Sequence, residues 1–125
     1  MGNRPRLFAI IAIMVTTLAI GFFYASYIQR TKEAQLKEDL RTMREAIESY
    51  TTYEQQAPQS LEDLVRANYL FEIRRDPVCT EVDWNLHFGE RNLILGLELK
   101  KVKGLDNVFS GCPKVGSDHK PYNTW

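Results

Sequence analysis

The apolar stretch LFAIIAIMVTTLAIGFFYASYI, residues 7–28, decides how this chain is organised. It contains no Asp, Glu, Lys, Arg or His. A helix that rises ~1.5 Å per residue would extend about 33 Å over this stretch, enough to cross the roughly 30 Å hydrocarbon core of a bilayer. Soluble core helices rarely reach this length without a polar face. The stretch therefore predicts a transmembrane helix over residues 7–28.

The flanking residues predict the orientation of this helix. Arg4 and Arg6 lie in a tail of residues 1–6 that has no acidic residue, and short basic termini tend to stay in the cytoplasm. We expect a cytoplasmic N-terminus and an exported domain over residues 29–125. A cleaved signal peptide is the alternative, since Ala19-Ile20-Gly21 resembles a small-x-small cleavage site. Apolar residues continue beyond that site, which favours the membrane span.

Length and charge restrict what the exported part can be. A chain of 125 residues with one span has room for one small domain. All 16 acidic residues follow the span, whereas two of the 16 basic residues precede it, so the exported part carries a small negative net charge. No basic stripe gathers its Lys and Arg residues, and nucleic acid is therefore not an expected partner.

Cys79 and Cys112 are the two cysteines of the chain, and both follow the span. In an oxidising compartment such a pair forms one disulfide bond by default. A pair of free thiols is the alternative. The two cysteines do not form a C-x-x-C pair, and His87 and His119 are far apart in the sequence. These four residues therefore do not have the spacing of a zinc site.

A second helical pattern follows the span without interruption. No Pro or Gly occurs between Phe22 and Glu54, so the helix should continue over residues 29–54, here called the spine. Apolar residues three or four positions apart form one stripe along it. The stripe is too short for a coiled coil, so we expect it to pack on the protein's own domain. It consists of Leu36, Leu40, Met43, Ile47 and Tyr50.

The rest of the chain predicts a short helix and a small sheet. Ser60 and Asp63 form a capping-box pattern that begins a helix over residues 61–68. The sheet and a C-terminal loop fall within residues 82–125, where the apolar period changes to two. The predicted fold class is thus α+β: a long N-terminal helix, membrane span plus amphipathic spine, packed on a short helix and a small antiparallel sheet.

Three strands are predicted for this sheet. The first runs from about Trp84 to Phe88, and a turn at Glu90-Arg91-Asn92 connects it to a second over Leu93–Lys101. A third strand follows over Val102–Phe109. We expect Trp84, Leu86, Leu95 and Leu97 to cover the stripe of the spine.

The sequence offers little that an enzyme would need. No G-x-S-x-G, phosphate-binding glycine loop or H-E-x-x-H motif occurs. His87 and His119 fall at polar positions of a strand and a loop. We therefore expect no catalytic activity and no resident cofactor.

Four segments carry a family resemblance in their order. LRTMREAIESYTTYEQQAPQSLEDLVRANYL, residues 40–70, combines a spine end, a loop with a single proline and a short helix. IRRDPVCTEVDW, residues 73–84, leads into the sheet, and GLDNVFSG and PYNTW lie near the C-terminus. Together they resemble the type IV pilin and type II secretion pseudopilin family, most closely its major-pseudopilin-like group.

This resemblance implies a structural subunit of a type II secretion or type IV pilus-like apparatus. The protein would cross the inner membrane once and place its domain in the periplasm or outside the cell. Its implied partners are the inner membrane, copies of itself or other pseudopilin-like subunits, and platform proteins of the apparatus. By the same resemblance, Asp118 is the one candidate calcium ligand. A membrane-anchored binding module that has a pilin-like fold but forms no filament is the alternative.

The resemblance also yields a prediction about processing. The family is cleaved after a Gly at the cytoplasmic edge of the span, and a Glu follows inside it. Here Gly21-Phe22 lies deep in the apolar run, and Ser26 stands at the position of that Glu. We therefore expect the N-terminal segment to be retained. The intact mass of protein from isolated membranes tests this expectation. A mass that corresponds to a chain beginning at Phe22 or Asn3 would contradict it.

Overall fold

A computed structural model describes residues 3–125 of the chain. It has an α+β fold, as predicted. The elements in chain order are helix α1 (Arg4–Glu54), helix α2 (Leu61–Arg66), strand β1 (Asn85–Leu95), strand β2 (Glu98–Phe109) and a short 3-10 helix (Tyr122–Thr124). Residues 1 and 2, part of the predicted cytoplasmic tail, lie outside the described residues. The chain divides into two compact units, Met1–Lys32 and Glu33–Trp125, and each is described by itself.

Helix α1 is one uninterrupted helix of 51 residues. Pro5 lies in its first turn, where the missing backbone N–H removes no internal hydrogen bond. The helix ends at Glu54 because Gln55 adopts a left-handed conformation with a φ of 54°. The predicted continuation of the apolar helix into the spine is therefore confirmed.

Helix α2 begins as predicted but ends two residues earlier than residue 68. The Ser60 side chain accepts a hydrogen bond from the Asp63 backbone N–H, and the Asp63 carboxylate accepts one from the Ser60 backbone, which completes a capping box. At the other end Asn68 has a φ of 62°. The backbone N–H of Asn68 donates to Val65, and that of Tyr69 donates to the carbonyl of Leu64. This Schellman-type arrangement closes the helix.

The sheet is a single antiparallel hairpin of two long strands rather than three shorter ones. The predicted turn at Glu90-Arg91-Asn92 is wrong, because these residues lie in the middle of β1 and pair with β2. The chain reverses instead at Gly96-Leu97, between the paired residues Leu95 and Glu98. Gly96 has a φ of 66°, which glycine adopts without steric cost, and two-residue hairpin turns require it. The predicted second and third strands therefore do not exist as separate strands.

The loop before α2 holds β2 at close range. The backbone N–H of Leu105 donates to the Pro58 carbonyl, and the Gln59 amide donates to the Lys103 carbonyl. Gly104 lies between these contacts, and a Cβ atom there would approach the Pro58 carbonyl oxygen to 2.6 Å. Only glycine permits this approach, so the loop and β2 fix each other's position.

The core of residues 33–125 is built on the stripe of the spine. Leu36, Leu40, Met43 and Ile47 are buried, and Tyr50 packs at the edge of the core with its ring against Tyr69. The partners of the stripe come from α2, the following loop, β2 and the C-terminal segment. They include Leu61, Leu64, Leu70, Leu105, Val108, Cys112 and Tyr122.

The strand residues that cover the stripe differ from those predicted. Trp84 and Leu86 pack against the buried cluster as expected. Leu95 and Leu97 do not belong to it, and Leu97 is fully exposed because it occupies the hairpin turn. Leu105 and Val108, at the far end of β2, take their place.

Truncation of the stripe should destabilise the domain strongly. Ile47 has no exposed surface, so Ile47→Ala loses buried apolar contacts and leaves a cavity, at a cost of about 2–5 kcal/mol. The matched control is Glu48→Ala, which changes the neighbouring exposed residue. Urea unfolding of the full chain in detergent, followed by the fluorescence of Trp84 and Trp125, measures both free energies. Equal unfolding midpoints for the two variants would contradict the assignment of Ile47 to the domain's own core.

Candidate functional site

The apolar surface of α1 is the first candidate functional surface. Within residues 3–125, α1 is the helix long and apolar enough to cross a membrane, and none of its apolar window is buried. A soluble core helix of this composition would instead be covered by protein. The exposed side chains include Leu7, Phe8, Ile10, Ile13, Leu18, Ile20, Phe22 and Phe23.

The two threonine hydroxyls of this apolar stretch are satisfied within the helix. The Thr16 hydroxyl lies 3.0 Å from the Ala12 carbonyl oxygen and 2.9 Å from that of Ile13. The Thr17 hydroxyl also donates to the Ile13 carbonyl. These bonds remove the need for water at either hydroxyl, so the two residues are compatible with a lipid environment.

Buried Glu33 fastens the C-terminal segment to the spine. Only 5% of its surface is exposed, and three donors surround its carboxylate. Oε1 accepts hydrogen bonds from the Ser117 backbone N–H at 2.8 Å and the Tyr122 hydroxyl at 2.6 Å, and Oε2 accepts one from the Ser117 hydroxyl at 2.5 Å. Hydrogen bonds to a charged acceptor are stronger than those to a neutral one, so residues 117–122 form a polar clasp on the helix.

Arg44, further along the spine, attaches the end of β2 and Trp125 to the helix. Its guanidinium donates to the Val108 carbonyl at 2.8 Å, the Trp125 carbonyl at 2.8 Å and the Asn107 side chain at 2.8 Å. It also lies 5.4 Å from the centre of the Phe109 ring. Burial lowers the pKa of Arg44 from its ordinary value. A single cation thereby joins the spine, the end of β2 and the C-terminal residue.

The predicted disulfide bond between Cys79 and Cys112 is present, with Cα atoms 5.5 Å apart. Buried Asp76 organises the two segments that carry it. Asp76 Oδ1 accepts hydrogen bonds from the backbone N–H groups of Val78 and Cys79, and Oδ2 accepts one from the Ser110 hydroxyl. Ser110 in turn accepts a hydrogen bond from the Cys112 N–H. The carboxylate thus holds both cysteine backbones in place around the bond.

His87 lies in β1, Asp118 and His119 lie in the C-terminal segment, and Ser110 is a buried hydroxyl. Ser110 is buried and bonded to Asp76, His119 lies in a turn with a φ of 64°, and the exposed His87 ring is 2.6 Å from the Asp106 carboxylate. Asp118 is exposed, and its Oδ1 accepts a hydrogen bond from the Lys120 N–H. Within residues 3–125, no three His, Cys, Asp or Glu side chains gather where a metal ion could bind. The calcium role of Asp118 stays a prediction.

An exposed hairpin arm, residues 90–103, is a feature that sequence reasoning missed. Its apolar residues Ile94, Leu97 and Leu99 are 76%, 105% and 72% exposed. The arm also carries four basic and two acidic residues, a net charge of +2. The alternation of Leu residues suggested burial, but only Leu93 and Leu95 are half-buried, and the position of the turn leaves Leu97 and Leu99 exposed.

An acidic groove lies beside the spine. It has a volume of about 280 Å³, and its floor includes buried Met43 and Leu70. Phe71 at its margin is 93% exposed. Hydrogen bonding from Arg41 lowers the pKa of Glu38 at its rim, so that carboxyl stays charged. The lining residues are Glu38, Asp39, Thr42, Met43, Leu70, Phe71, Glu72 and Arg74.

Comparison with known proteins yields no assignment for this chain. No known family matches it, and neither a curated protein nor a solved structure shows a significant match.

Loss of the Glu33 charge should loosen the C-terminal segment. In Glu33→Gln an amide nitrogen, itself a donor, replaces one carboxylate oxygen that accepted hydrogen bonds. The buried donors left unpaired should lower the free energy of unfolding by about 1–3 kcal/mol. Hydrogen exchange of the Ser117 backbone N–H should accelerate. Glu38→Gln, an exposed residue on the same helix, is the control. Unchanged exchange at Ser117 in the Glu33 variant would show that the clasp does not depend on the carboxylate.

Proposed function

We propose that this chain is a pseudopilin-like structural subunit of a type II secretion or type IV pilus-like apparatus. The observation that carries the proposal is the division of α1. One part of the helix exposes an uninterrupted apolar surface, and another part is the centre of the folded domain's core. Such a helix serves to pack in a membrane or against other helices while it presents a domain. The order of elements after α1 and the segment over residues 40–70 support the same proposal by resemblance.

The proposed location is the inner membrane, with the N-terminus in the cytoplasm and residues 33–125 in the periplasm or outside the cell. Arg4 and Arg6 before the apolar stretch support this orientation. The disulfide between Cys79 and Cys112 supports it as well, because such bonds persist in oxidising compartments. The proposed partners are copies of this chain or related subunits, and the platform proteins of the apparatus.

A second candidate is a membrane-anchored binding module with a pilin-like fold that forms no filament. The observation that favours it is the absence of any acidic residue from residues 7–28. In the family that this chain resembles, a Glu in the span pairs with a neighbouring subunit during filament growth. Without that charge, the span would have to associate through apolar packing alone.

Cysteine crosslinking along the span distinguishes these two functions. Both native cysteines are bonded to each other, so a cysteine introduced singly at residues 13–20 is the one free thiol of each variant. The filament subunit should give disulfide-linked dimers in intact cells at positions spaced by three or four, because one helix face meets the neighbouring subunit. Glu48→Cys, exposed on the spine, is the control outside the apolar stretch. Absence of crosslinks at every span position would favour the binding module.

A further inference from the structure

The hairpin arm and the acidic groove are complementary in shape and apolar character. The arm projects, and its tip presents Leu97 with Ile94 and Leu99 behind it, all exposed. The groove is concave, with an apolar floor and an exposed Phe71 at its margin. Exposed apolar groups that cluster in this way on a small domain typically mark interaction surfaces.

The charges of the two surfaces are also complementary. The arm has a net charge of +2, and the groove, with three acidic residues and one Arg, has a net charge of −2. Arg41 pairs with Glu38 and Glu45, and Arg74 pairs with Asp39 and Glu72. Counting Arg41 and Glu45 with the groove leaves its net charge unchanged, because one cation and one acid are added. Lys101 on the arm and Glu72 on the groove are both exposed. Opposite potentials of this kind steer association and select the partner.

The two surfaces are not joined to each other within one copy of the chain. Lys100 of the arm contacts the Gln55 carbonyl, just beyond the end of α1, and hydrogen bonds between β2 and the Pro58 loop hold the base of the arm there. The groove lies beside Met43, which is 11 residues and about 16 Å earlier along the helix. Leu97 and Phe71 are both exposed, so each surface is open to another copy.

We propose that the hairpin arm of one copy docks in the acidic groove of a second copy. This inference rests on the proposed function, and it names the contact that joins the domains of neighbouring subunits. Two such contacts made reciprocally would close a two-fold dimer. A contact made in one direction only leaves one free arm and one free groove on each joined pair, so it can propagate into a ring or an open helical array.

A mixed crosslinking experiment tests the contact. Full-length chains that carry Leu97→Cys and Phe71→Cys, each with a different tag, are expressed together and oxidised in membranes. We expect a disulfide-linked dimer that contains both tags, and little crosslinking when either variant is expressed alone. Lys114→Cys, an exposed residue of the C-terminal segment, replaces Leu97→Cys as the control and should give no mixed dimer.

Charge exchange provides an independent test of the same contact. Lys101→Glu or Glu72→Lys alone should lower the yield of the mixed dimer by roughly fivefold, because like charges then face each other. The two changes together should restore it. Lys114→Glu is the matched control and should leave the yield unchanged. Equal losses in the single and double variants would overturn the proposed pairing.

The outcomes separate this inference from the function on which it rests. Crosslinks along the span without a mixed Leu97–Phe71 dimer would overturn the docking contact and leave the filament subunit standing. Efficient crosslinking of Leu97→Cys to itself, or to an unrelated protein, would also overturn it. Absence of crosslinks at both the span and the arm would remove both proposals.

Discussion

The packing of the spine stripe against the rest of residues 33–125 is the interaction on which the folded domain depends. Helix α2 has six residues, too few to persist alone in water, and an isolated two-stranded hairpin is marginal as well. Each gains its stability by burying apolar side chains on Leu36, Leu40, Met43 and Ile47. The spine is therefore the centre of the core, and the domain has no second apolar layer that could replace it.

Polar contacts of the C-terminal segment complete what this apolar layer begins. Glu33 and Arg44 bind it from two points of α1, and Asp76 with the disulfide bond ties it to the segment before the sheet. Burying charged groups is costly unless donors and acceptors surround them, and here each of the three is hydrogen-bonded several times. Small domains often need such fastening because their apolar cores are limited. The bonds also place the C-terminal segment where the spine would otherwise expose apolar surface.

The core of the folded domain leaves three surfaces open: the apolar part of α1, the hairpin arm and the acidic groove. The apolar part of α1 is suited to lipid and to other helices, and its lack of acids means that apolar packing must guide any association there. The hairpin arm and the acidic groove are suited to a contact outside the membrane, where charge complementarity operates. A filament subunit would contact its neighbours through the apolar part of α1 and, separately, through the arm and the groove. A binding module would use the groove or the arm for a different partner.

Local features of the sequence determined the helices, the capping box and the expectation of a disulfide bond. These features depend on residues close together in the chain, so they can be recognised without a structure. They are the spacing of the stripe, the lack of Pro and Gly between Phe22 and Glu54, and the pair Ser60 and Asp63. Glu33 continues the spacing of the stripe and could have been recognised as facing the core. The position of the hairpin turn was predicted wrongly, because polar residues at 90–92 resemble a turn as closely as Gly96-Leu97 does.

Only the tertiary structure decided the roles of Glu33 and Arg44 and the exposure of Leu97 and Phe71. Glu33 binds a residue 84 positions away, and Arg44 binds one 64 positions away. Those roles depend on which surfaces meet after folding, and no local pattern encodes that information.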